Sequence, residues 1–122
     1  MKMTDILIGT TDWARVERTD HNGDTGMASW RTRHFGDIRV RMVDYSAGYL
    51  ADHWCTKGHI LLCLEGELRI ELADGRSFFL KAGMSYQVAD GAEPHREHRL
   101  VDWGKFRPFA TPVMEGRGVS SP

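Results

Sequence analysis

Residues 48–59 read GYLADHWCTKGH, and this stretch holds the side chains that decide the fold. His53 and Cys55 are two positions apart, which on a β-strand places both side chains on one face. Lys57-Gly58 allows a tight bend, so His59 can return on the next strand and face the same cavity. Nitrogen and sulfur donors that converge inside a barrel are typical of a transition-metal site.

A fourth donor is expected from a distant part of the chain. His95 is the best candidate, because it opens a late strand after a loop that contains Gly91 and Pro94. A thiolate among imidazoles favours Zn2+, with Cu2+, Ni2+ and Fe2+ as alternatives. Four protein ligands would close a tetrahedral zinc site, whereas displacement of Cys55 or His95 would leave a position for water or substrate.

Short strands separated by turns surround this segment. Residues 38–45 alternate apolar and polar side chains, and residues 67–72 do so again. Residues 60–64 are apolar on both faces, so this strand is expected to be covered twice, by the core and by a subunit partner or a second sheet. Cys63 lies within it and is expected to be a core residue.

Turn signals divide the second half of the chain into further strands. Asp74-Gly75 is the strongest hairpin signal and predicts a two-residue turn. Strands are expected at 78–80, 86–88, 95–101 and 105–109. Many short strands with turns between them indicate a sandwich or a barrel, and the pattern alone leaves an immunoglobulin-like sandwich open.

The ends of the chain carry weaker signals. The chain is predicted to be one domain, residues 1–122, with a barrel core over about 30–110. The N-terminal segment 1–29 is mixed, and 19–24 within it is typical of a loop. Residues 111–122 are small, polar and rich in glycine and proline, so a loose tail is expected.

Composition excludes several classes of protein. The 122 residues are 41% hydrophobic and 27% charged, with a formal net charge of −1. The charge balance argues against nucleic acid as a partner, and the longest apolar run is far below the ~18 residues that span a bilayer. The N-terminus lacks a signal-peptide core, so the protein is expected in the cytoplasm, with no membrane partner.

The spacing Gly48-x4-His53-x-Cys55-x3-His59-x6-Gly66 resembles the first motif of the cupins. That motif has a glycine, His-x-His, a Glu three or four residues later, and a second glycine. Here Cys55 stands where the second His is usual, and His59 stands where the Glu is usual.

The second cupin motif is matched more loosely by Gly83-x5-Ala89-Asp90-Gly91-x3-His95. Ala89 replaces its proline, and one extra residue precedes the His. The string Asp52-His53-Trp54-Cys55 is also similar to a small bacterial cupin subgroup named after an Asp-His-Cys-Trp motif.

The resemblance implies an all-β fold, the double-stranded β-helix or jelly-roll barrel of the cupins, with a metal in its mouth. It implies a ligand set carried over by position: His53, Cys55, His59 and His95. Cupins often pair through exposed strands, so a homodimer is expected, and the two-sided apolar run at 60–64 suits it.

The resemblance does not fix a reaction, because cupins include enzymes, storage proteins and sensors. We expect a metal-binding cupin that binds or converts a small polar molecule. One alternative is a non-catalytic binding or sensing protein with a structural metal, and another is an iron- or nickel-dependent dioxygenase or isomerase. The expected pocket residues are Tyr45, Trp54, Tyr86 and Arg96, of which Tyr86 and Arg96 could bind an anionic substrate or could be ordinary packing and surface residues.

Overall fold

The structure is a computed structural model that describes residues 3–98 and 111–118, with side chains for 3–98. A single 3-10 turn, Trp13–Arg15, precedes the strands of the described part. These strands are β1 (Arg18–Asn22), β2 (Met27–Phe35), β3 (Ile38–Tyr45), β4 (His59–Cys63), β5 (Glu67–Leu72), β6 (Ser77–Lys81), β7 (Ser85–Val88), β8 (His95–His98) and β9 (Thr111–Gly118).

The strands form two antiparallel sheets. One sheet has the order β1-β2-β3-β9-β4-β7, and the other has the order β6-β5-β8. Strands far apart in sequence are neighbours in both sheets, as in a jelly roll. The all-β jelly-roll prediction is therefore confirmed.

The core lies between the two sheets and follows the alternation of the strands. Leu61 and Cys63 of β4 are fully buried, as are Leu68 and Ile70 of β5. Each fully buried aliphatic side chain contributes about 1.5–3 kcal/mol to folding. The prediction that Cys63 is a core residue is confirmed.

Two segments differ from the prediction at the ends of the chain. β1, which covers Arg18–Asn22 and so includes residues 19–22 of the expected loop 19–24, pairs with Met27 to Arg31 of β2. Residues 111–118 form β9 between β3 and β4, so this part of the expected loose tail is a strand. Both strands are stabilised by pairing with other strands. The local sequence composition does not indicate such pairing.

Residues 60–64 were expected to be covered on both faces, but among the described residues no second layer covers the outer face of β4. His59, Leu61 and Cys63 point into the core, whereas Ile60 points outward and is 63% exposed. The outer face of β4 is therefore partly open to solvent in the single chain.

The hairpin between β5 and β6 is confirmed, but its turn is longer than predicted. The Gly75 N–H donates to the Leu72 carbonyl at 3.0 Å, and the Leu72 N–H donates to the Arg76 carbonyl at 2.8 Å. Gly75 has a φ of 95°, whereas Asp74 keeps a negative φ. The loop therefore has three residues and one left-handed glycine, because only glycine adopts that φ without strain.

The strands expected at 78–80 and 86–88 are present as β6 and β7. β8 covers 95–98 of the strand expected at 95–101; residues 99–101 and 105–109 lie outside the described residues. In the ranges 3–98 and 111–118, no helix has both the length and the apolar character needed to cross a bilayer.

Candidate metal site

Two histidines from opposite sheets meet in the core. His59 is the first residue of β4 and is 4% exposed, and His95 is the first residue of β8 and is fully buried. Their Nε2 atoms are 3.0 Å apart, and the rings meet edge to face. The structure thus brings together the imidazoles of two of the four predicted ligands, one from each sheet.

A carboxylate that the sequence analysis missed completes the group. Glu97 lies two residues after His95 on β8, and its Oε1 is 4.0 Å from the His59 Nε2. One ligand atom from each of His59, His95 and Glu97 lies within 4.8 Å of the other two. The alternation of the predicted strand at 95–101 was the available signal, because it places residues 95 and 97 on one face.

Cys55 lies directly beside His95 and is joined to it through the backbone. The Cys55 N–H donates to the His95 carbonyl at 2.7 Å, and the His95 N–H donates to the Cys55 carbonyl at 3.0 Å. The Cys55 thiol also forms a hydrogen bond with the His95 side chain. The loop that carries Cys55 is held further along by the Ala51 N–H, which donates to the Glu97 carbonyl at 3.1 Å.

His53 lies at the mouth of the site. Its side chain is 72% exposed, and its Nδ1 is 2.7 Å from the Asp52 carboxylate. The expected strand through His53 and Cys55 is not found, because only Cys55 forms a bridge and residues 52–54 have no partner strand. The alternation argument for a shared face therefore does not apply here.

Gly58 sets the position of His59 by close approach to a neighbouring loop. A Cβ at Gly58 would be 2.7 Å from the Asp90 backbone nitrogen and 2.9 Å from the Ala89 carbonyl carbon. The Gly58 N–H donates to the Asp90 carboxylate at 2.7 Å. A side chain at position 58 would push the start of β4 away from this loop.

The donor set fits a divalent metal. Two atoms bound to one ion at about 2.1 Å can be at most about 4.2 Å apart. The separation of His59 from His95, 3.0 Å, and that of His59 from Glu97, 4.0 Å, satisfy this bound. The His95 Nδ1 is 3.4 Å from the Glu93 carbonyl, which can only accept a hydrogen bond. A proton on Nδ1 satisfies this carbonyl and leaves Nε2 to face the group, which is the arrangement of metal-bound histidines.

The surroundings of His95 also affect its charge. Burial alone would lower the pKa of His95. The hydrogen bond with Cys55, the charge of Glu97 and the Glu93 carbonyl outweigh burial and raise this pKa. The surroundings therefore favour a positive charge on the His95 imidazole.

A cavity of about 380 Å³ opens beside the group, within the range of small-molecule sites. Tyr45 and Trp54 line it as predicted, together with residues from β2, β3 and the 51–58 loop. The described lining is Trp30, Arg39, Arg41, Val43, Tyr45, Tyr49, Ala51, His53, Trp54, Cys55, Thr56, Lys57, His59 and Glu97.

The other two expected pocket residues lie elsewhere. Tyr86 is buried beside the histidines, with its ring centroid 6.3 Å from that of His59 and 5.6 Å from that of His95, and it lines a separate cavity of about 380 Å³. Arg96 points to the outer face of β8, where its Nε donates to Glu71 at 2.9 Å and its guanidinium covers the Trp54 ring at 4.4 Å. Neither is among the described residues that line the cavity.

No known sequence family matches the chain, and no curated protein matches it. Solved structures do. An RmlC-like cupin from Shewanella frigidimarina aligns with a TM-score of 0.71 at 13% identity, over 97% of this chain and 96% of that one. KdgF from Halomonas sp. aligns with a TM-score of 0.67 at 14% identity, over 90% and 92% of the two chains. Ectoine synthase from P. lautus aligns with a TM-score of 0.65 at 19% identity, over 91% and 78%.

These similarities show that the chain has the cupin fold. At these identities the likeness concerns the fold alone, and the Asp-His-Cys-Trp subgroup stays a prediction.

Proposed function

We propose that this protein is a metal-binding cupin that binds or converts a small polar molecule in the cavity beside the metal. The observation that carries the proposal is the buried group of His59, His95 and Glu97, whose ligand atoms lie within 4.8 Å of one another. Burial of two imidazoles and a carboxylate at this distance is costly unless they are paired or coordinate an ion. The KdgF and ectoine synthase neighbours support a small-molecule site in this fold.

The proposal keeps Cys55 and His53 as further ligands. Cys55 is supported by its hydrogen bond with His95, and His53 by its place on the lining of the same cavity. With a thiolate in the set, Zn2+ is the proposed metal. A divalent ion held there would supply Lewis acidity to an oxygen atom of a bound molecule.

The chain's own residues would orient that molecule. Tyr49 lines the cavity, and burial together with the charges of Glu97 and Asp52 raises the pKa of its phenol to about 12. Tyr49 therefore stays protonated at neutral pH and acts as a hydrogen-bond donor. Its ring stacks on Tyr45 at 4.7 Å, which fixes the direction of the phenol.

Elemental mass spectrometry of the purified protein tests the metal site. We expect close to one metal ion per chain, and a loss of roughly tenfold or more in metal affinity for His59→Ala, His95→Ala and Glu97→Gln. Glu67→Gln is the matched control, because Glu67 is an exposed carboxylate of β5. Metal content that is equal in the Glu97→Gln protein and the control would contradict this ligand set.

A second candidate is an iron-dependent dioxygenase or isomerase. It is favoured by the donor types of the group, because two histidines and one carboxylate with open positions are typical of non-haem iron enzymes. The same elemental measurement separates the two candidates: zinc supports the first, and iron supports the second.

The proposal also includes a cytoplasmic homodimer. The outer face of β4 supports a dimer, because the exposed Ile60 side chain would be covered by a second copy. Both cysteines are in the thiol form, which suits a reducing compartment. The molar mass in light scattering tests the dimer.

A further inference from the structure

A second cavity is lined by residues of the two edge strands β6 and β7. Its volume is about 380 Å³, which is within the range of sites for small molecules. β6 is the outermost described strand on one side of the three-stranded sheet, and β7 has the same position in the six-stranded sheet. This cavity shares none of its described lining residues with the cavity beside Glu97. It is therefore a separate candidate site.

The walls of this second cavity are mainly apolar and aromatic. Leu80 and Tyr86 line it and belong to the core, so the cavity extends to the core. Phe78 and Met84 also line it and are 45% and 46% exposed, so about half of each is still open to a ligand. The ring centroids of Phe78 and Tyr86 are 5.9 Å apart. Such a surface favours an aromatic ligand, because ring contacts add to the burial of apolar area.

The charged groups of the described lining are paired with each other. Arg76 and Glu93 are the charged residues among the described lining. The Arg76 Nη2 is 3.3 Å from the Glu93 Oε1, and its Nε is 2.8 Å from the Asp74 Oδ2. A charge on a ligand in this apolar cavity would lack a partner, which is costly. The cavity therefore favours an uncharged molecule.

Tyr86 offers one polar group to such a molecule. Its side chain is nine-tenths buried, with a residue exposure of 9%. Within residues 3–98 its contacts are with the rings of Phe78, His59 and His95, and its hydroxyl group has no hydrogen-bond partner there. The hydroxyl group of a buried tyrosine usually has a partner, and a neutral phenol can both donate and accept a hydrogen bond. A hydroxyl group on the ligand would be that partner.

We infer that this second cavity binds a small, uncharged aromatic molecule that carries a hydroxyl group. The ligand ring covers Phe78 and Met84, and its hydroxyl group forms a hydrogen bond with that of Tyr86. The inference goes beyond the proposed function, since it concerns a different cavity and needs no metal.

Nuclear magnetic resonance titration of the full chain, with isotope-labelled methionine methyl groups, tests the inference. The probe is p-cresol; toluene lacks its hydroxyl group, and p-toluate has a carboxylate in its place. We expect p-cresol to shift the Met84 methyl signal in a saturable way. The Met27 signal is the internal control, because Met27 is 41% exposed and lies outside the described lining. Met84→Leu and Met27→Leu assign the two signals.

The three probes should bind with different affinities. Toluene should bind about fivefold more weakly than p-cresol, because it cannot form the hydrogen bond with Tyr86. p-Toluate should bind more weakly than toluene, because its charge loses hydration without gaining a partner.

Variants of the lining residues locate the binding. Tyr86→Phe should lower the affinity for p-cresol about fivefold, to that for toluene, and leave the affinity for toluene unchanged. Phe78→Ala should weaken both probes about fivefold, since a ring contact is lost. Ile8→Ala is the control, because Ile8 is an exposed apolar residue outside the described lining. Circular dichroism melting verifies that each variant is folded.

The outcomes separate this inference from the proposed function. Binding of p-cresol that depends on Tyr86 in a protein that binds no metal supports the inference and rejects the metal site. Metal binding that depends on Glu97, with no saturable shift of the Met84 signal, overturns the inference alone. Equal affinities for p-cresol and toluene, or for p-cresol and p-toluate, also overturn it. A Met84 signal that moves with protein concentration and not with p-cresol means that a second copy covers the cavity, and this too overturns the inference.

Discussion

Cys55 is joined to His95 by both backbone and side chain. The two residues exchange backbone hydrogen bonds, and the thiol bonds to the imidazole. Cys55 can therefore act as a metal ligand or as the hydrogen-bond partner of the ligand His95. A substitution distinguishes these two roles.

Cys55→Ser should lower metal affinity by roughly tenfold or more, because a hydroxyl group is a much poorer zinc ligand than a thiolate. Cobalt loading of the wild type should show a sulfur-to-cobalt absorption band that the variant lacks. Thr56→Ser, a change at the next residue of the same loop, is the control. A wild-type affinity and an unchanged cobalt spectrum in Cys55→Ser would mean that the thiol is not a ligand.

Gly58 lies directly before His59, and added volume at this residue should be poorly tolerated. Gly58→Ala would place a Cβ 2.7 Å from the Asp90 backbone nitrogen, so we expect a loss of about 1–3 kcal/mol in the free energy of unfolding. Gly9→Ala is the control, since nothing lies within 4 Å of that position. Urea titration measures both, and equal midpoints would refute the role given to the close approach.

At the scale of elements, β5 and β8 are joined on their outer face by a network of charges. Glu71 accepts hydrogen bonds from Arg96 and Arg69, and its Oε1 is 3.2 Å from the His98 Nδ1. β8 also carries His95 and Glu97 on its inner face. The network therefore holds β8 from the face opposite His95 and Glu97.

This network predicts a pH dependence of stability. Burial alone would raise the pKa of Glu71, but the hydrogen bonds from Arg96 and His98 and the charge of Arg69 outweigh it and lower this pKa. A lowered carboxyl pKa in the folded state stabilises the protein above the ordinary value of about 4.5, and this stabilisation is lost as the pH falls through the lowered pKa.

Wild-type protein should therefore lose more stability between about pH 5 and pH 3 than Glu71→Gln does. Urea titrations at a series of pH values measure the difference, with Glu67→Gln as the exposed control carboxylate. Parallel pH curves for the wild type and Glu71→Gln would show that the ionised Glu71 does not stabilise the fold.

The elements that could be predicted are those with strong local signals. The alternation at 38–45 and the Asp74-Gly75 hairpin depend on neighbouring residues, and both are present. β1 and β9 could not be predicted in this way, because pairing with other strands holds them. The strand expected through His53 and Cys55 is absent, because residues 52–54 have no partner strand and form a loop.

At the scale of the whole molecule, the candidate metal site lies between the sheets. His59 belongs to the six-stranded sheet, and His95 and Glu97 belong to the three-stranded sheet. Residues 59 and 95 are far apart in sequence; the position of His95 at the start of a late strand made it a candidate, and the cupin resemblance supplied the fold that brings it to His59. The resemblance did not include Glu97, which lies outside the two motifs.

Metal removal should loosen the contact between the sheets. A ligand at a hundred times its Kd stabilises the folded state by about 2.7 kcal/mol, so addition of EDTA should lower the Tm of the metal-loaded protein by several degrees. The Glu97→Gln protein should respond much less. A wild-type Tm that EDTA leaves unchanged would contradict a metal that bridges the sheets.

The position of β9 has a consequence for how the chain acquires its shape. It pairs with β3 on one side and β4 on the other, yet the ribosome produces it after all eight other described strands. Throughout synthesis, the facing edges of β3 and β4 therefore lack the strand that separates them, with their peptide groups open to other chains. A nascent chain interrupted before residue 111 would keep that gap and could join with its neighbours through it.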